Sequence, residues 1–294
     1  MPTNDPACAL PAIGREGAWA TCWLGAGVWD GWRAMAYDDA LLDWAREQSL
    51  WPSLALARAY AWREPTLSLG THQPVKDVSA LRARFAQRLA RGELQWTRRP
   101  TGGRAILHDG DASFSVISNA PACLRLSVAD SYRVFCRIEA HALEALGVKA
   151  QTAEAIQTSQ SAPTAPAGHR PSGAYMRSPA CFETRTQTDL LDGSGRKISG
   201  SAQLRRAGGL LQQGTIFLPG GIPLDAFARA FSQAFEAAWP TAERIPEARI
   251  TQCPRFQALW AARLDDYAAQ SDRLLITDPG PGGPPAPAPR RDPI

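Results

Sequence analysis

The chain has 294 residues, 45% of them hydrophobic and 20% charged, with a formal net charge of +4. That length can bury a sizeable core, and the charge is too small to make nucleic acid the default partner. No run of about 18 apolar residues occurs, which excludes a membrane-spanning helix.

The opening, MPTNDPACALPAIGREGAWA, lacks the basic start and unbroken apolar stretch of a signal peptide, so a cytoplasmic protein is expected. Residues 1–29 read as an irregular lead-in rich in Pro, Ala and Gly. From Trp32, WRAMAYDDALLDWAREQ has helical apolar spacing. LWPSLALARAYAWREPTLSLG reads as two strands around a turn at Arg63-Glu64-Pro65. VSALRARFAQRLARG reads as a second helix stopped by Gly92. LQWTRRPTGGRAILHDGDASFSVIS follows as strand, glycine turn, strand, turn and strand. SVADSYRVFCRIEAHALEALGV is a long helix ending at Gly147; its Cys136 and His141 are five residues apart and do not share a face.

Residues 150–178 are poor in apolar side chains and dense in Ala, Pro, Thr, Ser and Gln, the composition of a long loop insertion. Strand patterning returns after Cys181, with hairpin signals at Asp192-Gly193 and Gly208-Gly209. LDAFARAFSQAFEAAW is an amphipathic helix. A further helical segment over 246–271 precedes a proline-rich, disordered tail at 272–294. Strands in clusters with helices between them indicate an α+β fold with mixed or antiparallel sheets flanked by helices. The tail and linker show no heptads, so a monomer is expected.

Two stretches carry candidate chemistry. In RRPTGGRAILHD, Gly102 and Gly103 let the backbone approach a ligand closely, and Arg98, Arg99, Arg104 and His108 surround them with donors. This could cradle a carbonyl, thioester or phosphate. On local chemistry alone the plainer reading, a tight hairpin with exposed arginines, is preferred. In GRKISGSAQ, Lys197 is followed by Gly200, Ser201 and Ala202, small enough to let the lysine lie against a substrate. Cys181 stands sixteen residues earlier. An ammonium beside a cysteine raises its thiolate fraction, and a hairpin pairing Thr186–Leu191 with Lys197–Leu204 would bring the two elements together. Gln212, Gln213 and Thr215 in LQQGTIF could line the same cavity, although a structural turn is the simpler reading.

RRPTGGRAILHD, KISGSAQLRR and LLQQGTIFL, in this order, resemble the lipoate–protein ligase and octanoyltransferase superfamily, which also includes biotin ligase. MAYDDALL and PTLSLGTHQ fit its N-terminal part. The resemblance covers roughly residues 30–245 and implies a catalytic domain of the biotin/lipoate protein ligase fold. Gly102-Gly103-Arg104 stands where lipoate ligases carry three glycines, and Cys181-Phe182 stands where the cysteine octanoyltransferases of Gram-positive bacteria carry Cys-Phe. The biotin-ligase pattern GRGRxGR is absent. Gln213 departs from the family, which commonly has histidine there.

The resemblance implies that Cys181 takes an octanoyl group from octanoyl-acyl carrier protein and passes it to a lysine of a lipoyl domain, on glycine-cleavage H protein or a dehydrogenase E2. Lys197 would activate the cysteine, with Arg99, Gly102, Gly103, Arg104, His108, Gly200, Ser201 and Ala202 around the substrate. No cofactor is then needed. Two alternatives stay open. One is an ATP- and magnesium-dependent lipoate–protein ligase, with phosphate on Arg99 and the glycine turn and Cys181 a bystander. The other is a non-catalytic module that binds lipoyl domains or acyl chains.

Overall fold

The computed structural model describes residues 19–153, 155, 180–183 and 186–276. Among these, eight strands form one mixed sheet and three form a second. The large sheet begins with β1 (Ala20–Trp29), which pairs in parallel with β2 (Leu54–Trp62). Beyond β2 it continues antiparallel through β6 (Ala112–Ser118), β10 (Gly209–Ile216), β9 (Lys197–Arg206), β8 (Leu190–Asp192) and β7 (Ala150–Thr152). The short β11 (Glu243–Arg244) lies parallel to β1 at the other edge. The small sheet places β3 (Thr66–Leu69) between β4 (Gln95–Arg98), parallel to it, and β5 (Ile106–His108), antiparallel. The two strands expected around Arg63–Pro65 are therefore both present but belong to different sheets.

Both faces of the large sheet are covered, and the sequence alternation shows how. Ala55, Ala57, Ala59, Phe114 and Val116 face α5 (Val128–Ala145) and α6 (Leu224–Ala238). In α6 the spacing of Phe227, Phe231 and Phe235 puts three rings on one face; Phe231 meets Phe114 at 4.7 Å between ring centres. Ser127 starts α5 by accepting the amide of Asp130 at 3.1 Å. The intervening residues Leu54, Leu56 and Ile117 face α1 (Gly31–Arg46). Most of α1 is buried because α8 (Pro254–Ile276) packs on its outer side, where Arg263 pairs with Asp39 and Asp43. The C-terminal helical segment thus belongs to the core packing, with the short α7 (Ala248–Thr251) before it.

Four expectations are corrected. Residues 20–29 are a strand, buried over Ala20–Cys22 and exposed at Ala26 and Val28, not an irregular lead-in; Gly25, with φ +73°, sits at a register shift between Trp23 and Ala26. The second helix is split at Phe85 into α2 (Val75–Arg84) and α3 (Ala86–Ala90). The expected insertion begins with β7, an edge strand too short to show alternation; residues 156–179 lie outside the described residues. Helix α8 runs through Ile276, beyond the expected boundary at 271, and the remaining tail lies outside the described residues. A short α4 (Pro121–Arg125) precedes α5. No helix of the described residues is long and apolar enough to cross a membrane.

Candidate active site

The α1-facing side of the large sheet and the small sheet line a shared cavity. Cys181, Lys197, Arg99, Gly103, Arg104, His108, Gly200, Ser201 and Ala202 all line it. Gly102 sits in the adjoining turn. Strand alternation sends Gln213 and Thr215 into the cavity and Gln212 to the opposite face, where its side chain accepts from Gln203 at 2.8 Å.

Cys181 opens a 3₁₀ turn, Cys181–Glu183, and its amide donates to Ala105 O at 2.8 Å, just after the glycine turn. Lys197 opens β9. Its Nζ lies 3.5 Å from Cys181 Sγ, 3.2 Å from Cys181 O and 4.9 Å from the centre of the Phe182 ring. The sequence reading missed the third member of this group. Asp189 Oδ2 is 2.9 Å from Nζ, and both side chains are about 5% exposed or less. The amide of Thr186 donates to the same oxygen at 2.6 Å. Burial works against the ammonium, but the Cys181 and Asp189 charges on either side outweigh it and hold Lys197 above the ordinary lysine value. A positive charge fixed beside Sγ is placed to stabilise a thiolate.

Gly200 makes room for this arrangement: a Cβ there would lie 2.9 Å from Lys197 Cε and 3.0 Å from Nζ. The far end of a lysine can swing aside, so Gly200→Ala is expected to leave the melting temperature within a few degrees while lowering cysteine acylation about 10- to 100-fold. Thermal melts beside single-turnover rates check this.

The glycine turn is held from within. Arg99, expected to reach a ligand, is 5% exposed. Its Nε donates to Gly102 O, Nη1 to Ser68 O and Oγ, and Nη2 to Gly102 O and Arg104 O, at 2.6–3.1 Å. A guanidinium has five N–H donors, and all five are engaged. His108, also expected at the substrate, bridges Asp111 through Nδ1 and Ser68 through Nε2, both at 2.8 Å, and stacks on Trp62. The reading of exposed arginines is overturned; these side chains build the turn because backbone carbonyls bent inward need buried donors. Gly103 has φ +87°, and the amides of Gly102 and Gly103 donate no hydrogen bond among the described residues.

On the other face of the sheet Glu139 of α5 is buried. Burial first, reinforced by the Asp189 charge, pushes its carboxyl up to about 8 from 4.5. The fold therefore holds a proton that the unfolded chain releases. The contribution of Glu139 to stability is full below about pH 4.5 and is lost as pH rises to about 8. Glu139→Gln is expected to flatten that decline and raise the melting temperature at pH 8, measured by melts across the window.

With this geometry, comparison with known proteins decides the kinship. Residues 30–251 match the lipoyl protein ligase A/B catalytic domain. The chain belongs to that family. Octanoyltransferase LipM of Geobacillus kaustophilus is 36% identical over 185 residues, 63% of this chain and 60% of the relative. Its Bacillus subtilis counterpart is 34% identical over the same shares. The chain thus spans about 60% of the length of these relatives. A solved bi-partite lipoate protein ligase of Thermoplasma acidophilum, described with its E2 lipoyl domain, superposes with a TM-score of 0.57 at 15% identity, over 90% of this chain and all of that one. That likeness establishes the shared fold.

Proposed function

We propose that the protein is an octanoyl-acyl carrier protein:protein N-octanoyltransferase of lipoate biosynthesis. The observation that carries the reading is the half-buried Cys181 beside the buried Lys197–Asp189 pair, with Nζ 3.5 Å from Sγ. The kinship with octanoyltransferases supports it, and the E2 lipoyl domain of the Thermoplasma ligase supports a lipoyl domain as acceptor.

The Cys181 thiolate attacks the thioester carbonyl of the acyl carrier protein. The amides of Gly102 and Gly103 receive the oxyanion; losing one such donor typically costs about 3 kcal/mol of barrier. The carrier's sulfur leaves and takes a proton from Lys197, giving an octanoyl thioester on Cys181. The ε-amine of the lipoyl-domain lysine attacks next, Lys197 accepts its proton, and the C–S bond to Cys181 breaks. Thiolate and ammonium are restored, and a thioester has become an amide, a downhill exchange that needs neither ATP nor metal.

The acyl chain has a path. Gly200, Thr215, Ser113 and Tyr60 stand in register across β9, β10, β6 and β2. Three strand spacings give about 14 Å, enough for an octanoyl chain. The Ser113 and Thr215 hydroxyls bond to one another at 3.2 Å, and Ser113 also accepts from Trp62. Buried methylenes contribute roughly 0.8 kcal/mol each. The ligase alternative would ask Arg99 to hold phosphate, but that guanidinium is committed to the turn. Octanoylation of a lipoyl domain by the wild type, with ATP enzymatically removed, is expected to proceed and to disappear in Cys181→Ser. Full ATP-dependent activity in Cys181→Ser would overturn the proposal.

A further inference from the structure

Gln213 lies on β10, about a hundred residues from the glycine turn, yet it touches that turn. Thr101 Oγ1 donates to Gln213 Oε1 at 2.7 Å, and Gln213 Nε2 donates to Asp38 Oδ2 at 2.7 Å. The other oxygen of Asp38 accepts from Arg58 Nε at 2.7 Å and Ser115 Oγ at 2.8 Å. Arg58 in turn donates to Ala34 O and lies over the rings of Trp29, Tyr37 and Tyr60 at 4.2–4.9 Å. Thr101, Gln213, Asp38 and Arg58 are all buried. The orientation of the amide is forced: a carboxylate only accepts, so the NH₂ group must face Asp38 and the carbonyl must face the Thr101 hydroxyl.

The turn is thus gripped at two points. Arg99 holds the Gly102 and Arg104 carbonyls within the small sheet. Gln213 holds Thr101 to the large sheet, where its neighbours Gly214 and Thr215 pair with Ser201 and Gly200, under which Lys197 lies. Lys197 belongs to the large sheet and the turn amides to the small-sheet side, with Cys181 tied by its amide to Ala105 O just after the turn. Gln213 is a side chain that joins the turn to the large sheet.

We propose that Gln213 is a positioning residue: through Thr101 it sets the glycine turn against the Cys181–Lys197 pair, with Asp38 and Arg58 fixing its amide. An amide does this because it donates and accepts at once. Glutamate at the same place would set a second carboxylate against Asp38 and lose the donor. Moving the charge from one side chain to the other, as in the pair Asp38→Asn with Gln213→Glu, keeps the chain of hydrogen bonds from Thr101 to Arg58 with one direction reversed, giving up the 3.4 Å contact of the Gln213 amide with Met35 Sδ and the charge that faces Arg58. The asparagine amide introduced at position 38 donates to the carboxylate introduced at position 213, and its carbonyl still accepts from Arg58 and Ser115.

The kinetic half of this inference rests on the acyl-transfer reading; amide hydrogen exchange does not. Gln213→Glu is expected to raise exchange at the Thr71 and Arg99 amides, which donate to Thr101 O and Leu69 O, and to slow Cys181 acylation by octanoyl-acyl carrier protein about 100-fold, with little change in KM. The double variant D38N/Q213E is expected to restore the exchange pattern and to bring the rate within about 10-fold of wild type. Thr101→Val, which keeps the shape and removes only the turn's end of the contact, serves if Gln213→Glu does not fold and is expected to raise exchange over the same residues. Unchanged exchange at the Thr71 and Arg99 amides in both single variants overturns the proposal. So does a folded double variant in which neither exchange nor rate recovers. If wild type forms no acyl-cysteine, the exchange results still decide the role of Gln213.

Discussion

Lys197→Met is expected to slow acylation of Cys181 by about 10³-fold, within the range that a positioned acid–base group contributes. The thiolate loses its ammonium at 3.5 Å and the departing carrier thiol loses its proton source. The substitution also leaves Asp189 buried without its cation; breaking a buried pair in this way typically costs about 3–5 kcal/mol. The two effects separate in a second variant. Lys197→Met combined with Asp189→Asn removes the stranded charge, so it is expected to recover much of the lost stability while the rate stays low. Thermal unfolding and single-turnover acylation, run side by side, check both. Recovery of the rate in the double variant would mean that the lysine serves the fold rather than the chemistry.

Gly70→Ala is the second large effect. A Cβ at Gly70 would sit 1.9 Å from the carbonyl oxygen of Gly103 and 2.8 Å from its carbon. Both are backbone atoms, so no side-chain rotation relieves the clash, and the glycine turn must move away from β3. Overpacking of this kind typically costs about 1–3 kcal/mol. A turn displaced by about 1 Å is expected to lower acylation about 100-fold. Gly193→Ala is the matched control: nothing lies within 4 Å of its Cβ and its φ is not positive, so melting temperature and rate are both expected to stay near wild type. Melts and acylation rates on the three proteins make the comparison. A Gly70→Ala protein as active as the control would remove the turn from the mechanism.

The parts of this site legible in the sequence were those carried by local motifs. Glycine next to glycine, and lysine followed by small residues, mark places where backbone and side chain crowd a ligand; the structure brings both to one cavity. The helical spacing of Phe227, Phe231 and Phe235 and the alternation along β2 carried most of the fold in the same way. What the sequence concealed was long-range pairing. Asp189 is a single acid in a Thr- and Gln-rich stretch and acquires meaning only when the β8–β9 hairpin, with its register shift, sets it beside Lys197. Arg99 looked like a ligand-binding cation because its partners are backbone carbonyls, including that of Ser68 31 residues away, and carbonyls leave no mark in a sequence. Gln213 reads as one of two adjacent glutamines until strand alternation turns them to opposite faces. β1 was hidden by its own glycines, of which Gly25 belongs to a bulge.

The most direct test is intact-protein mass spectrometry after mixing the protein with octanoyl-acyl carrier protein and no ATP. The account predicts a gain of one octanoyl group, released by hydroxylamine and absent in Cys181→Ser. No adduct, with a lipoyl domain acylated only when ATP and free octanoate are supplied, would contradict it and leave Cys181 outside the chemistry.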